Sequence, residues 1–246
     1  MENALLPISA VIAAGGRGSR LAPLTDFLPK PLLHVGGRPI LDWLIDHLIQ
    51  QGIDDITLTV GYRADQIMNH VGQGLERGLC FRYICEDKPM GDVGVLGTTT
   101  DWQHDYILLI NADLFTNVNI QTLYQELVLH DADMVLATFQ YSVRIPWGIL
   151  DVIGNEVHYI REKPELLFQA NAGIYLFKRA LLSLIPANEP FNAWSLVSRT
   201  IQAGFKTISI PIDGYWYDIG NVAEYKRVNA LVASQEHLAE QLHLAS

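Results

Sequence analysis

Apolar runs of strand length alternate with longer amphipathic segments along this 246-residue chain, and that alternation limits its folds more than any other feature. Ser9–Ala13 is a short apolar run ending in glycines and reads as a buried strand. In "PILDWLIDHLIQQG", Ile40, Leu41, Leu44, Ile45, Leu48 and Ile49 recur at helical spacing between Pro39 and Gly52. A strand "DITLTVGY", a short helix "ADQIMNHVG" and a strand "LCFRYICE" follow, the last ending at Glu86. After a glycine-bearing loop and a short helix near Val93–Thr99, "YILLINADLF" is a strongly apolar strand running into Asp113. "IQTLYQELVLHDA" is helical and "DMVLATFQYS" is a strand again. Such an order predicts a doubly wound, Rossmann-like α/β fold whose sheet is mainly parallel, with ligands gathered at the carboxyl ends of the strands.

The second half reads differently. "WGILDVIGNEVHYIREKP" forms a hairpin turning at Gly154–Asn155, and "NAGIYLFK" is another strand. "ALLSLI" is a short helix stopped by Pro186, and "LVSRTIQAG" is a helix. "FKTISIPI" and "GYWYDIG" complete the sheet region before a polar helical tail from Val222 onward. No repeat or linker interrupts the chain, so one domain over 1–246 with a small inserted β layer is the simplest organisation.

Composition narrows the partners. Hydrophobic residues make up 49% and charged residues 18%, the balance of a soluble globular enzyme. A net charge of −10 argues against wrapping nucleic acid or sitting on anionic lipid. No apolar run reaches the ~18–20 residues of a membrane span, and no basic region precedes the first strand, so the expected location is the cytoplasm. Cys80 and Cys85 fit no zinc or redox spacing and are expected to be buried, inert thiols. His34, His47, His70 and His158 show no ligand spacing.

The glycines after the first strand pose the functional question. In "VIAAGGRGSRLAPLTDFLPKPLLHVGG", Leu21 stands where a dinucleotide fingerprint requires its third glycine, and the second strand ends without an acid. The Lys-Ser/Thr of a P-loop is also absent. Pro23 and Pro29 forbid a long helix directly after the turn. The loop therefore reads as open and irregular, with backbone N–H groups of Gly15–Ser19 free to wrap a phosphate and Arg20 and Lys30 adding two cations. Preorganised donors of this kind serve reactions in which charge builds up on departing phosphate oxygens.

The stretch "AAGGRGSRLAPLTDFLPKPLLHVGGRPIL" resembles the signature of the sugar-1-phosphate nucleotidyltransferases, and the likeness continues in family order through "INADLF", "WGILDV", "EKP", "NAGIY" and "YWYDIG". It covers about residues 9–228. The resemblance implies a glycosyltransferase-A-like fold with the inserted β layer on the sugar side. It divides the domain into a nucleotide-binding half (about 1–140), a sugar-phosphate-binding half (about 141–228) and a helical tail (229–246). The implied reaction is Mg²⁺-dependent attack of a sugar-1-phosphate on the α-phosphate of an NTP, yielding a nucleotide sugar and pyrophosphate.

By the same resemblance, Ala13, Gly15, Gly16, Gly18, Glu86 and Gly91 contact the nucleotide, Arg20 clamps the leaving phosphates and Lys30 neutralises the α-phosphate. Asp113 and Asp218 match the two magnesium carboxylates, whose hard oxygens suit Mg²⁺. Gly148, Glu162, Lys163 and Asn171 match the sugar-phosphate pocket. Glu86 has two readings: an acceptor for guanine N1–H and N2–H₂, or a solvated loop acid. The second half looks closest to short bacterial guanylyltransferases acting on hexosamine-, mannose- or heptose-1-phosphates, so GTP is favoured, with uridylyl or thymidylyl transfer as the alternative. Asp92 and Val93 stand where the family loop has Thr and Ala, which leaves open a catalytically weak nucleotide-sugar-binding subunit. Asn192 and Trp194 also depart from relatives, which often carry an aspartate and a proline there. The tail "SQEHLAEQLHLAS" leaves self-association open.

Overall fold

The computed structural model describes residues 5–244, with side chains described as far as residue 234. In chain order the elements are β1 (Ile8–Ala14), β2 (His34–Val35), β3 (Arg38–Pro39), α1 (Ile40–Gln50), β4 (Asp55–Val60), α2 (Ala64–Val71) and β5 (Arg82–Cys85). β6 (Tyr106–Asn111), β7 (Leu114–Thr116), α3 (Ile120–Leu129), β8 (Met134–Arg144), β9 (Ile149–Ile153) and β10 (Glu156–Arg161) follow. The chain closes with β11 (Glu165–Lys178), α4 (Ala193–Gln202), β12 (Thr207–Pro211), β13 (Trp216–Asp218) and α5 (Val222–Leu244).

Seven strands form the main sheet in the order β12-β8-β11-β6-β1-β4-β5. β6 is the central strand, and β1 lies beside it, parallel to β6 on one side and to β4 on the other. Alternate side chains of these strands feed opposite cores, which is why their sequences are apolar throughout. Ile8, Ala10 and Ile12 of β1 join Leu108 and Ile110 of β6 in one cluster with α1 residues Leu41, Leu44 and Leu48. Val11, Ile107 and Leu109 join the other, with Leu196 of α4. Each such burial contributes about 1.5–3 kcal/mol relative to exposure. α3 begins where Asn119 accepts a hydrogen bond from the Thr122 N–H at 2.8 Å, a side-chain N-cap.

The sheet departs from full parallelism at β11, which runs antiparallel to both β6 and β8 because a hairpin arm, not a crossover helix, connects it to β8. β13 does not join the main sheet. It pairs antiparallel with β7 in a separate ribbon, with Asp218 opposite Leu114. The helix expected around Val93–Thr99 is a 3-10 segment at Gly94–Thr98, and that expected at "ALLSLI" is one at Arg179–Leu184. Cys80 and Cys85 are exposed, contrary to expectation. Cys80 precedes β5, and Cys85 ends β5 at the sheet's outer edge, where no further strand covers it.

Candidate functional site

The glycine loop leaves β1 at the carboxyl end of the sheet and folds as three 3-10 turns, Ser19–Leu21, Leu24–Asp26 and Lys30–Leu32, where a dinucleotide fold would start a helix. Pro23 and Pro29 precede the second and third of them. Gly18 has φ +66°, and a Cβ there would lie 2.9 Å from the Cβ of Lys30, so only glycine fits by conformation and by space. The Thr25 hydroxyl donates to the Gly18 carbonyl at 2.9 Å, and the Tyr62 N–H donates to the Gly15 carbonyl at 3.1 Å. These bonds fix the loop while leaving the N–H groups of Gly16, Arg17 and Gly18 with no acceptor among the described residues. Consecutive amides free on one loop form an anion-binding concavity.

Two adjoining cavities of about 260 and 250 Å³ open above this loop, sharing Ala13, Gly16 and Asp113 in their walls. Together they lie within the ~300–1,000 Å³ usual for small-molecule sites. Gly18, Arg20 and Lys30 line the first; Gly15, Glu86, Gly91 and Asp92 line the second. Lys30 is 8% exposed, and its ammonium donates to Asp113 Oδ2 and lies 3.9 Å from Asp218 Oδ1. Asp113 follows β6, while Asp218 ends β13; the β7–β13 ribbon and a bond from the Ile219 N–H to the Asp113 carbonyl at 3.1 Å bring the two together. One oxygen of each, Oδ1, is buried without a hydrogen-bond partner.

Burial raises the Asp218 carboxyl above its ordinary range, and the Asp113 charge pushes the same way against Lys30 and Arg20. Burial likewise raises Glu86 and Asp92, opposed by a backbone N–H at each, from Met90 and Ala193 respectively. Two hard carboxylates with orphaned oxygens and unfavourable mutual charge form a donor set that fits a divalent cation completed by phosphate and water. Among the described residues no group of three or more His, Cys, Asp or Glu side chains is placed to hold a metal alone.

Glu86 is half-buried, not a solvated loop acid. Its Oε2 accepts the Met90 N–H at 3.3 Å, and its carboxylate covers Gly15 so closely that a Cβ there would lie 2.9 Å from Oε1. Asp92 faces the second cavity with Oδ2 3.4 Å from the Ala193 N–H, at the start of α4, whose own N-cap residue Asn192 makes no side-chain cap. Gly91 packs against the same segment, since a Cβ on it would lie 2.5 Å from the Phe191 carbonyl.

The residues assigned to the sugar phosphate do not line these two cavities. Glu162 and Lys163 follow β10, are 68% and 69% exposed at their side chains, and lie 3.9 Å from one another. Gly148 backs onto Glu162, whose Oε2 would lie 3.0 Å from a Cβ there. The Asn171 amide is engaged within β11, donating to the Tyr175 hydroxyl and accepting the Gly173 N–H at 3.0 Å. Sequence reasoning missed Thr59 and Asn111, which line the second cavity. Asn111 needs the glycine of "NAG", because a Cβ on Gly173 would lie 2.6 Å from its Nδ2. Arg17 faces the Tyr62 ring at 5.5 Å to the centroid, and Arg63 faces the same ring at 5.4 Å.

Residues 9–235 match the family described as nucleotidyl transferase. The chain belongs to that family. It is 30% identical over 230 residues to a Sulfolobus acidocaldarius protein provisionally described as a mannose-1-phosphate guanyltransferase, across 90% of this chain and 62% of that one. It is also 30% identical over 238 residues to a glucose-1-phosphate thymidylyltransferase of Streptomyces griseus, across 92% and 66%. The chain thus spans about two thirds of the length of the curated relatives it matches. A solved Bacillus anthracis structure in complex with sucrose, provisionally described as a glucose-1-phosphate thymidylyltransferase, superposes with a TM-score of 0.74 at 27% identity, covering 92% of this chain and 95% of that one. Mixed, mainly parallel α/β architecture is common to both.

Proposed function

We propose that the chain transfers a nucleoside monophosphate from an NTP, with GTP favoured, to a sugar-1-phosphate, releasing pyrophosphate. The observation that carries this reading is the convergence of the free Gly16–Gly18 amides, Arg20, Lys30, Asp113 and Asp218 around one pair of cavities. A phosphate oxygen of the sugar-1-phosphate attacks the α-phosphorus; the new O–P bond forms as the bond from the α-phosphorus to the bridging oxygen breaks, and that oxygen leaves with pyrophosphate. The loop amides and Arg20 hold the leaving phosphates and stabilise the charge they gain. Lys30, held in place by the carboxylates, neutralises the α-phosphoryl oxygens. Asp113 and Asp218 hold Mg²⁺, which supplies Lewis acidity and neutralises phosphate charge when bound. Ala13 and Gly15 pass the nucleotide over the carboxyl end of the sheet. Gly148, Glu162, Lys163 and Asn171 serve the sugar-phosphate side.

Glu86 supports the preference for guanine: a carboxylate fixed by a backbone N–H offers the two acceptors that N1–H and N2–H₂ of guanine require, whereas uracil and thymine present one N–H. The thymidylyl- and uridylyltransferase relatives favour dTTP or UTP as a second reading. Incubation with each NTP, Mg²⁺ and a panel of hexose- and heptose-1-phosphates tests both. Pyrophosphate release fastest with GTP supports the first reading, and release fastest with dTTP or UTP supports the second. No release from folded protein that binds Mg²⁺–NTP removes the transferase reading and leaves a nucleotide-binding subunit.

A further inference from the structure

The chain between residues 140 and 169 contains no buried residue, although it holds eleven large apolar side chains that are 36–72% exposed. It comprises the end of β8, the β9–β10 hairpin and the start of β11. The hairpin is two-faced. Its register places Val152 opposite Val157 and Leu150 opposite Ile160 on one face, while Asp151 and Arg161 form an ion pair at 3.2 Å on the other. A two-stranded ribbon with a bare apolar face is marginal alone in water. At roughly 150 Å² per large side chain, half exposed, the arm presents on the order of 800 Å² of apolar surface. These side chains are spread over both faces of the arm, Ile153 and Tyr159 sharing that of Asp151, and their total is of the order of one partner's share of a standard interface.

β8 also has an open edge. β12 pairs with it only as far as Thr138, opposite Pro211, while β8 continues to Arg144 on its β11 side. Among the described residues nothing hydrogen-bonds the outer edge of 140–144. This edge is self-complementary. Antiparallel pairing with its own copy, centred on Ser142, sets Tyr141 opposite Val143 and Gln140 opposite Arg144. No like charges meet, and Arg144 keeps Glu165 of its own chain at 3.7 Å. An isologous contact of this kind closes on itself as a two-fold dimer.

We propose that a second copy of this chain pairs with β8 over residues 140–144, extending the sheet across a two-fold axis and covering the apolar side chains of the arm. The same arm carries Gly148, Glu162 and Lys163, assigned above to the sugar phosphate, but the test of the interface reads assembly, not turnover, so either reading can fail alone. Sedimentation of the full chain at about 1–100 µM is expected to give a dimer. Val143→Asp, which sets a carboxylate against Tyr141 of the other copy, is expected to weaken association at least 100-fold. Tyr141→Lys combined with Val143→Asp is expected to restore it, because the two new charges meet across the axis. Both side chains are exposed, so unchanged circular dichroism and a cooperative unfolding transition confirm that the variants fold. A wild-type chain that remains monomeric throughout that range overturns the proposal, as does a dimer indifferent to Val143→Asp.

Discussion

Two lysines of this chain sit in opposite surroundings. Lys30 is 8% exposed, wedged between two carboxylates behind a glycine loop; Lys163 is 69% exposed at its side chain, at the end of a hairpin with no buried residue. The contrast runs through the molecule. The glycine-loop side is built on strands apolar on both faces, and its charged groups are held by tertiary contacts. The arm at 140–169 presents its groups on ribbons open to solvent. On the proposed function, charge that must meet a departing phosphate gains from being fixed in advance, whereas groups that recognise a variable sugar tolerate a less buried mount.

The contrast can be broken by substitution. The largest effect is expected at Asp113→Asn, which keeps the shape but removes the charge: turnover should fall by about 10³ or more while circular dichroism stays unchanged. Near wild-type turnover would remove the metal assignment. Gly18→Ala forces a side chain into a positive-φ position against Lys30 and should lower stability by ~1–3 kcal/mol in denaturant titration. Lys163→Ala should leave the melting temperature unchanged and raise KM for the sugar-1-phosphate about tenfold; a large loss of stability would show that the arm is as fixed as the loop.

A pH series sharpens the same comparison. The Asp218 carboxyl is raised in the folded protein, so its ionised form costs stability above the folded pKa, and that cost is released as pH falls through it. Mg²⁺ relieves the cost only while the carboxylate is ionised. The rise in melting temperature on adding Mg²⁺ should therefore shrink as pH falls, and begin to do so above the range of an ordinary aspartate. A pH-independent rise would place the ion elsewhere.

Much of the nucleotide side was legible in the sequence because its constraints are local. Period and glycines locate β1, β4 and β6, and the prolines after "GGRG" exclude a helix there. Asp113 and Asp218 were found by resemblance. Their meeting depends on the β7–β13 ribbon, a pairing between residues about 100 apart that no local pattern encodes. Glu86 was undecided for the same reason, since its burial depends on Gly15 and Met90 folding around it. The cysteines were expected to be buried only because their spacing fits no metal or redox motif, whereas β5 is the sheet's edge. The hairpin was recognised from its turn, but its full exposure was not, because alternating apolar residues look the same whether or not anything covers them. The tail "SQEHLAEQLHLAS", as a contact surface, lies almost wholly outside the residues whose side chains are described.

The most direct measurement follows the α-phosphorus. The protein is incubated with GTP labelled at the α-phosphate, Mg²⁺ and a panel of sugar-1-phosphates, and the products are separated. Label recovered in a nucleotide sugar, with unlabelled pyrophosphate released in equal amount, is the expected result. Label recovered only in GTP, GDP or GMP, from protein that is folded and binds Mg²⁺–GTP, would contradict it.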